Sequence, residues 1–220
     1  MSRKFTAAIS IAFLFLFQNL SGQMRFGVIA EPQLSWFNSD TKVFKANDPV
    51  MGLNFGFNAE KFFADRYAFV TGLTINSLGG NLKYMESGYQ LVTRDSTYNI
   101  TEGTNVKFKG QYLCFPLGLK FKTNEIGYMT FYAHLGLTGN IRLKGYAWQD
   151  EHNIEKETAT EQITVAFASY HIGAGMEYSL GGPSAIMIGL VYSGGLTESY
   201  EAGFGKVTTS GLSLRIGILF

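Results

Sequence analysis

The sequence predicts an all-β fold: an eight-stranded antiparallel up-and-down transmembrane β-barrel with short periplasmic turns and long extracellular loops. Three observations carry this. Apolar and polar residues alternate with period 2 through almost all of residues 23–220. The links between alternating runs are short and long by turns, as when one rim of a sheet has tight turns and the other has loops. The composition suits strands, with 15% aromatic residues, 26 glycines and only 16% charged residues against the roughly one quarter of a typical soluble domain.

In chain order, the first 22 residues stand apart. "MSRKF" carries Arg3 and Lys4, "AISIAFLFLF" is an apolar core, and "NLSGQ" offers small residues for cleavage after Gly22. These are the three regions of a secretory signal peptide. The apolar run is shorter than the roughly 18–20 residues of a membrane-spanning helix. The expected division is therefore a signal peptide, 1–22, and an outer-membrane β-barrel domain, 23–220.

Eight strands follow, at 26–37, 50–60, 66–78, 110–121, 128–143, 163–180, 184–196 and from about 207 to 220. The second sets Met51, Leu53, Phe55, Phe57 and Ala59 on one face against Gly52, Asn54, Gly56, Asn58 and Glu60. The fourth and fifth repeat the pattern with Leu113 to Phe121 and Met129 to Leu137 at every second position. The last, "GLSLRIGILF", opposes Leu212, Leu214, Ile216, Ile218 and Phe220 to Gly211, Ser213, Arg215 and Gly217. "KFFAD", "KTNEIG" and "GGP" are the short turns; 38–49, 79–109, 144–162 and 197–206 are the long links.

Periodicity alone does not say which face is wet, and soluble sandwiches share the alternation. Three features favour lipid outside. The polar face carries few charges and both signs, Glu31, Glu60, Lys120, Glu177 and Arg215, which a narrow interior would pair. That face is rich in glycine, which makes room for large neighbours and lets strands bend. Trp36, Phe37, Phe62, Phe63, Tyr67, Phe121, Tyr128, Tyr178 and Tyr192 gather near strand ends, where interfacial girdles sit. Closure then satisfies every backbone group in hydrocarbon.

"QYLCFPLGLKF", "YHIGAGMEYSL", "VYSGGLTESY" and the terminal "LSLRIGILF" together resemble the small eight-stranded outer-membrane barrels of the PorT-like family of Bacteroidota, over about residues 23–220. The resemblance implies fold and outer-membrane location, and transfers no functional residue. For PorT itself it would imply a part in type IX secretion.

Chemistry is sparse. A formal net charge of +1 gives no ground for nucleic-acid binding. The single cysteine, Cys114, excludes an intramolecular disulfide and a Cys-based zinc site. His134, Ser169, His171 and Glu177 are only loosely compatible with a hydrolase triad; Glu177 is six residues from His171, roughly 20 Å along a strand. They read as lumen residues. "WQDEHNIEKETATEQ" brings Asp150, Glu151, His152, Glu155, Glu157 and Glu161 together without calcium-loop spacing, and reads as a solvated loop. No catalytic, cofactor or metal site is expected. Eight strands enclose a space that side chains fill, here Tyr112, Tyr132 and Phe167, so no large diffusion pore is expected. The charged set reads as a lumen ion-pair network of Glu31, Glu60, Lys120, Glu177 and Arg215, with Arg215 within reach of Glu31 across the closing strands. Phe220 reads as the assembly signal of a barrel.

The function expected is non-enzymatic: a structural, adhesive or envelope-complex accessory role. The alternatives are a PorT-type accessory of secretion and a lipid-modifying barrel hydrolase. The expected partners are the outer-membrane bilayer, the barrel-assembly machinery, and an envelope or secretion component met through loops such as 79–109.

Overall fold

The computed structural model describes residues 23–149, 154–159, 161–201 and 206–220. The expected leader, and Asp150, Glu151 and His152 of the acidic segment, lie outside the described residues. In chain order the described strands are β1 (Met24–Ser39), β2 (Phe44–Ala46), β3 (Val50–Ala64), β4 (Tyr67–Tyr84), β5 (Tyr89–Val92), β6 (Thr97–Ile100), β7 (Asn105–Lys122), β8 (Met129–Gln149), β9 (Ile154–Thr158), β10 (Ala166–Gly181), β11 (Ser184–Gly195) and β12 (Val207–Leu219). Eight of them close a barrel in the order β1-β3-β4-β7-β8-β10-β11-β12, with β12 paired back onto β1 and every pairing antiparallel. The four short strands decorate the long-loop rim: β2 adds to β4, β9 to β8, and β5 and β6 form a separate hairpin.

The outer face is apolar, as the alternation requires. Phe57, Leu117 and Ile218 are 66%, 64% and 55% exposed, values that only a lipid surround makes comfortable. At the short-turn rim Phe63 stacks beside Phe69 and Tyr67, Tyr67 meets Phe121, and Tyr128 meets Tyr178. Trp36, Tyr170 and Tyr192 form a second aromatic group toward the other rim. Two expected girdle residues are not in either belt. Phe37 is buried at 4% inside the barrel, because it shares the inward parity of Ile29 and Glu31. Phe62 shares the parity of Glu60 and lies below the Lys122 ammonium, 5.4 Å from its ring centre, at the lumen mouth.

The strands run further toward the long-loop rim than the periodic apolar runs suggest, and their polarity inverts on the way. On β7 the inward side chains are Lys120 and Lys122 at one end but Val106 and Phe108 at the other, while the outward ones change from Phe115, Leu117 and Phe121 to Lys107 and Lys109. β4 inverts in the same sense, from outward Phe69 and Leu73 to inward Leu78, Leu82 and Tyr84. A strand dressed this way leaves lipid part way along and enters water. A β-bulge keeps β8 in step: Lys144 pairs Gln111 and Arg142 pairs Tyr112, leaving Leu143 as the extra residue. Beyond it the parity switches, so Gly145, Ala147 and Gln149 point inward and Tyr146 and Trp148 outward.

The expected 79–109 link thus shrinks to residues 85–104, which hold the β5–β6 hairpin. The three short turns lie at the opposite rim. In one of them Gly182 supplies positive φ (62°) at the first central position, before Pro183.

Candidate functional site

The lumen is the only place where buried charges collect among the described residues, and it is filled in layers. Nearest the short-turn rim, Lys120 bridges Glu60 and Glu177, each at 2.5 Å, with its ammonium 4.5 Å from the Tyr132 ring centre. Glu177 also receives Arg25 at 2.9 Å and Lys122 at 2.8 Å. The lysine and the two carboxylates are at most 4% exposed in their side chains. An open vestibule of about 730 Å³ lies outside this cluster, bordered by Arg25, Phe62, Lys122 and Glu177.

One layer deeper, Arg215 pairs with Glu31 through its Nε and donates to His134 Nε2 at 3.2 Å. Because guanidinium only donates, that ring nitrogen is the acceptor and His134 is neutral with its proton on Nδ1. Asn54 donates to the other Glu31 oxygen at 2.7 Å. Glycines make the space: a Cβ on Gly173 would lie 2.5 Å from the His134 ring, and one on Gly189 2.5 Å from the Tyr132 hydroxyl. Above this, Gln33, Asn76, Asn140, Ser169 and His171 surround a small polar cavity of about 70 Å³.

The top layer is mainly apolar, with Arg142 donating to the Ile163 carbonyl at its base. Phe37, Phe44, Leu82, Tyr84, Val106, Phe108, Ile154, Ile163 and Tyr200 form an apolar core closed over by Leu91 and Ile100 of the β5–β6 hairpin. Phe108 packs 4.8 Å from Tyr200 between ring centres, and the Tyr84 and Tyr200 hydroxyls bond each other at 2.7 Å. Burial pushes the Tyr84 phenol up to about 12 and that of Tyr200 well above its ordinary value.

The five expected network residues therefore lie in two clusters, Arg215 with Glu31 and Lys120 with Glu60 and Glu177. Arg25 and Lys122 complete the second cluster and were not anticipated. Each falls one residue outside an expected strand, which begins at Phe26 or ends at Phe121. Tyr112, Tyr132 and Phe167 are all buried in the lumen. The loosely triad-like residues each have other partners: His134 accepts from Arg215 at 3.2 Å, Ser169 accepts from Asn140 at 3.0 Å, His171 sits against Thr138 at 3.0 Å, and Glu177 is held by its three cations. Cys114 is buried and its thiol donates to Asn140 at 3.0 Å. Among the described residues no group of His, Cys, Asp and Glu is disposed to hold a metal ion.

A closed barrel with an apolar belt and a packed interior defines a class, the small outer-membrane barrels. Residues 8–201 match the outer membrane protein beta-barrel domain family, and the chain belongs to that family. No curated protein matches it in sequence. Among solved structures, Ail, the attachment invasion locus protein of Yersinia pestis, is 15% identical over 90% of this chain and 99% of its own, with a TM-score of 0.46. Neisserial surface protein A is 12% identical over 87% and 95%, with a TM-score of 0.46. The outer membrane protein OprG of Pseudomonas aeruginosa is 12% identical over 91% and 96%, with a TM-score of 0.44. By its family and its closed sheet, the protein is an integral barrel of the outer membrane.

Proposed function

We propose that this protein is a non-enzymatic outer-membrane barrel with a structural, adhesive or envelope-complex accessory role, acting through its long-loop end and not through a conducting lumen. The observation that carries this is the double filling of the interior: the Glu177 cluster below and the Phe108–Tyr200 core above. Either one alone blocks the path of a hydrated solute. Reconstitution into planar bilayers tests it, with no stepwise conductance expected; a steady open-channel current from the wild-type protein would overturn the reading.

Residues 1–22 act in this reading as a cleaved signal peptide, and Phe220 as a recognition element for the barrel-assembly machinery. Mass measurement of the exported protein should place its new N-terminus after Gly22, and deletion of Phe220 should lower the amount assembled in the membrane. No nucleic acid or cofactor takes part. The likeness of "QYLCFPLGLKF" and "YHIGAGMEYSL" to PorT-like barrels supports a second reading, an accessory of type IX secretion. Cross-linking through residues 85–104 separates the two, since only the second requires capture of secretion components. A lipid-modifying hydrolase gains no support from Ser169, His171 and Glu177, each of which is engaged elsewhere.

A further inference from the structure

Above the apolar belt, one side of the barrel is dressed in lysine. β4 presents Lys83, β7 presents Lys107 and Lys109, β8 presents Lys144, and the short strands β2 and β9 add Lys45 and Lys156. None of the outward positions of β4, β7 and β8 in this band is Asp or Glu. On the other side of the barrel, the outward positions at this level include Asn38, Ala166, Ala168 and Thr208, all neutral.

β9 also carries Glu155 and Glu157 beside Lys156, but on β4, β7 and β8 the described stripe is basic throughout. Lys45 stands directly across from Lys83, a like-charge pair that a sheet face disfavours. Lys107 lies over the Trp148 ring at 4.8 Å and Lys156 over the Tyr146 ring at 5.4 Å, while Lys109 donates to the Met51 carbonyl at 2.8 Å. Among the described residues, the ion pairs all lie in the lumen and none involves these lysines. Partial burial, and the neighbouring Lys107 and Lys156, hold the Lys109 ammonium below its ordinary value. A nearby anion would relieve that repulsion.

The height of the stripe identifies the anion. Leu113 on β7 and Ile141 on β8 pair with each other in the apolar belt. Lys144, opposite Gln111, is the first basic rung above them, and Lys109 is the next on β7. At about 3.3 Å per residue on strands tilted by about 40°, these ammoniums emerge roughly 5–10 Å above the belt. That is the depth of the headgroup layer, about 5–8 Å on each side of the hydrocarbon. Lysines as mobile point charges suit phosphates, and Tyr146, opposite Lys109, suits the same layer.

We infer that Lys109 and Lys144 bind the phosphate groups of anionic lipid headgroups in the outer leaflet, while Lys107 and Lys83, two and four residues further along the paired strands, stand above that layer in water. The inference goes beyond the proposed role, needs only the outer-membrane location, and survives a conducting lumen.

The test uses the full chain refolded in uncharged micelles, with fold checked by circular dichroism and by heat-dependent gel mobility. Retention of a bis-phosphorylated lipid A is compared, by native mass spectrometry, with that of the same lipid stripped of phosphate. The wild-type protein should prefer the phosphorylated form by more than about tenfold at about 0.1 M salt, and the preference should shrink as salt rises. Lys109→Gln and Lys144→Gln should each cost about fivefold, and Lys83→Gln, higher on the wall, should cost less than about twofold. The matching Lys→Arg variant should keep the preference, and Lys61→Gln, at the other rim, should leave it unchanged. If the Lys109→Gln/Lys144→Gln double variant does not fold, the two single variants are measured separately. Equal retention of both lipids overturns the inference. So does displacement by millimolar inorganic phosphate, which would mark a free-anion site, or preference for a soluble acidic polysaccharide over the lipid.

Discussion

The same eight strands enclose two different interiors. Toward the short-turn rim the inward side chains are Arg25, Glu60, Lys120, Lys122 and Glu177, joined at 2.5–2.9 Å. Toward the long-loop rim they are Leu82, Val106, Phe108 and Tyr200, members of one apolar core. The difference follows from what lies outside. Where the wall faces lipid, the outward positions are taken by Leu, Ile and Phe, and little distinguishes inside from outside except polarity, so the inside is made polar and self-paired. Where the wall stands in water, the hydrophobic effect points inward again and an ordinary core forms. One strand, β7, carries both patterns and changes between them within a few residues.

The largest test of this contrast strikes the charged half. Glu177→Ala leaves Arg25, Lys120 and Lys122 facing one another with Glu60 as the remaining carboxylate of the cluster, and should cost about 3–5 kcal/mol. Urea unfolding of the barrel in lipid vesicles reads this. A loss below about 1 kcal/mol would mean that water reaches the cluster and the lower interior is not sealed.

Phe108→Ala opens a cavity in the apolar half and should cost about 3 kcal/mol or somewhat more. Here the place of the effect matters more than its size. Amide exchange should rise in β5 and β6, which cover this core, while the belt-spanning part of β12 stays protected. A uniform rise through the barrel would show that the two halves unfold as one unit.

The smallest effect is a pH dependence confined to the upper half. Folding raises the Tyr84 phenol to about 12, so the unfolded chain ionises first. The stability that this contributes is full below about pH 10, the ordinary phenol value, and declines as pH climbs toward 12. The Tyr84→Phe/Tyr200→Phe variant should lack that alkaline decline in β5–β6 protection, while its loss near neutral pH stays at about 1–2 kcal/mol.

The lower half was the more legible of the two. Alternation located all eight wall strands, and glycines such as Gly173 and Gly189 on the polar face do make room for His134 and Tyr132. The upper half was hidden because the pattern there changes sign without changing period. Lys107, Phe108 and Lys109 alternate as cleanly as Leu117, Gly118 and Leu119, but with the apolar residue inward, so a search for one continuous apolar face stops at Tyr112. On β8 the bulge at Leu143 also shifts the phase, which no two-residue period can follow. The cluster at the mouth was half seen for a simpler reason: Arg25 and Lys122 belong to strand ends, where lipid no longer imposes an apolar neighbour.

The pairing of β1 with β12 has a consequence for how the molecule is made. Each of the other seven wall contacts joins strands adjacent along the chain once the short loop-end strands are set aside; this one joins Gly27 to Leu219, with Phe26 and Phe220 exchanging backbone hydrogen bonds at 2.8 and 2.9 Å. Those seven can form as a growing meander. The eighth must wait for the final strand, and until then β1 and the latest strand present bare edges, most costly where no water can bind them. A chain that lacks β12 is therefore an open ribbon with two unsealed sides, not a barrel with one-eighth less stability. Shortening by a whole strand should remove the folded population outright, whereas trimming the loop-end strands should only loosen it.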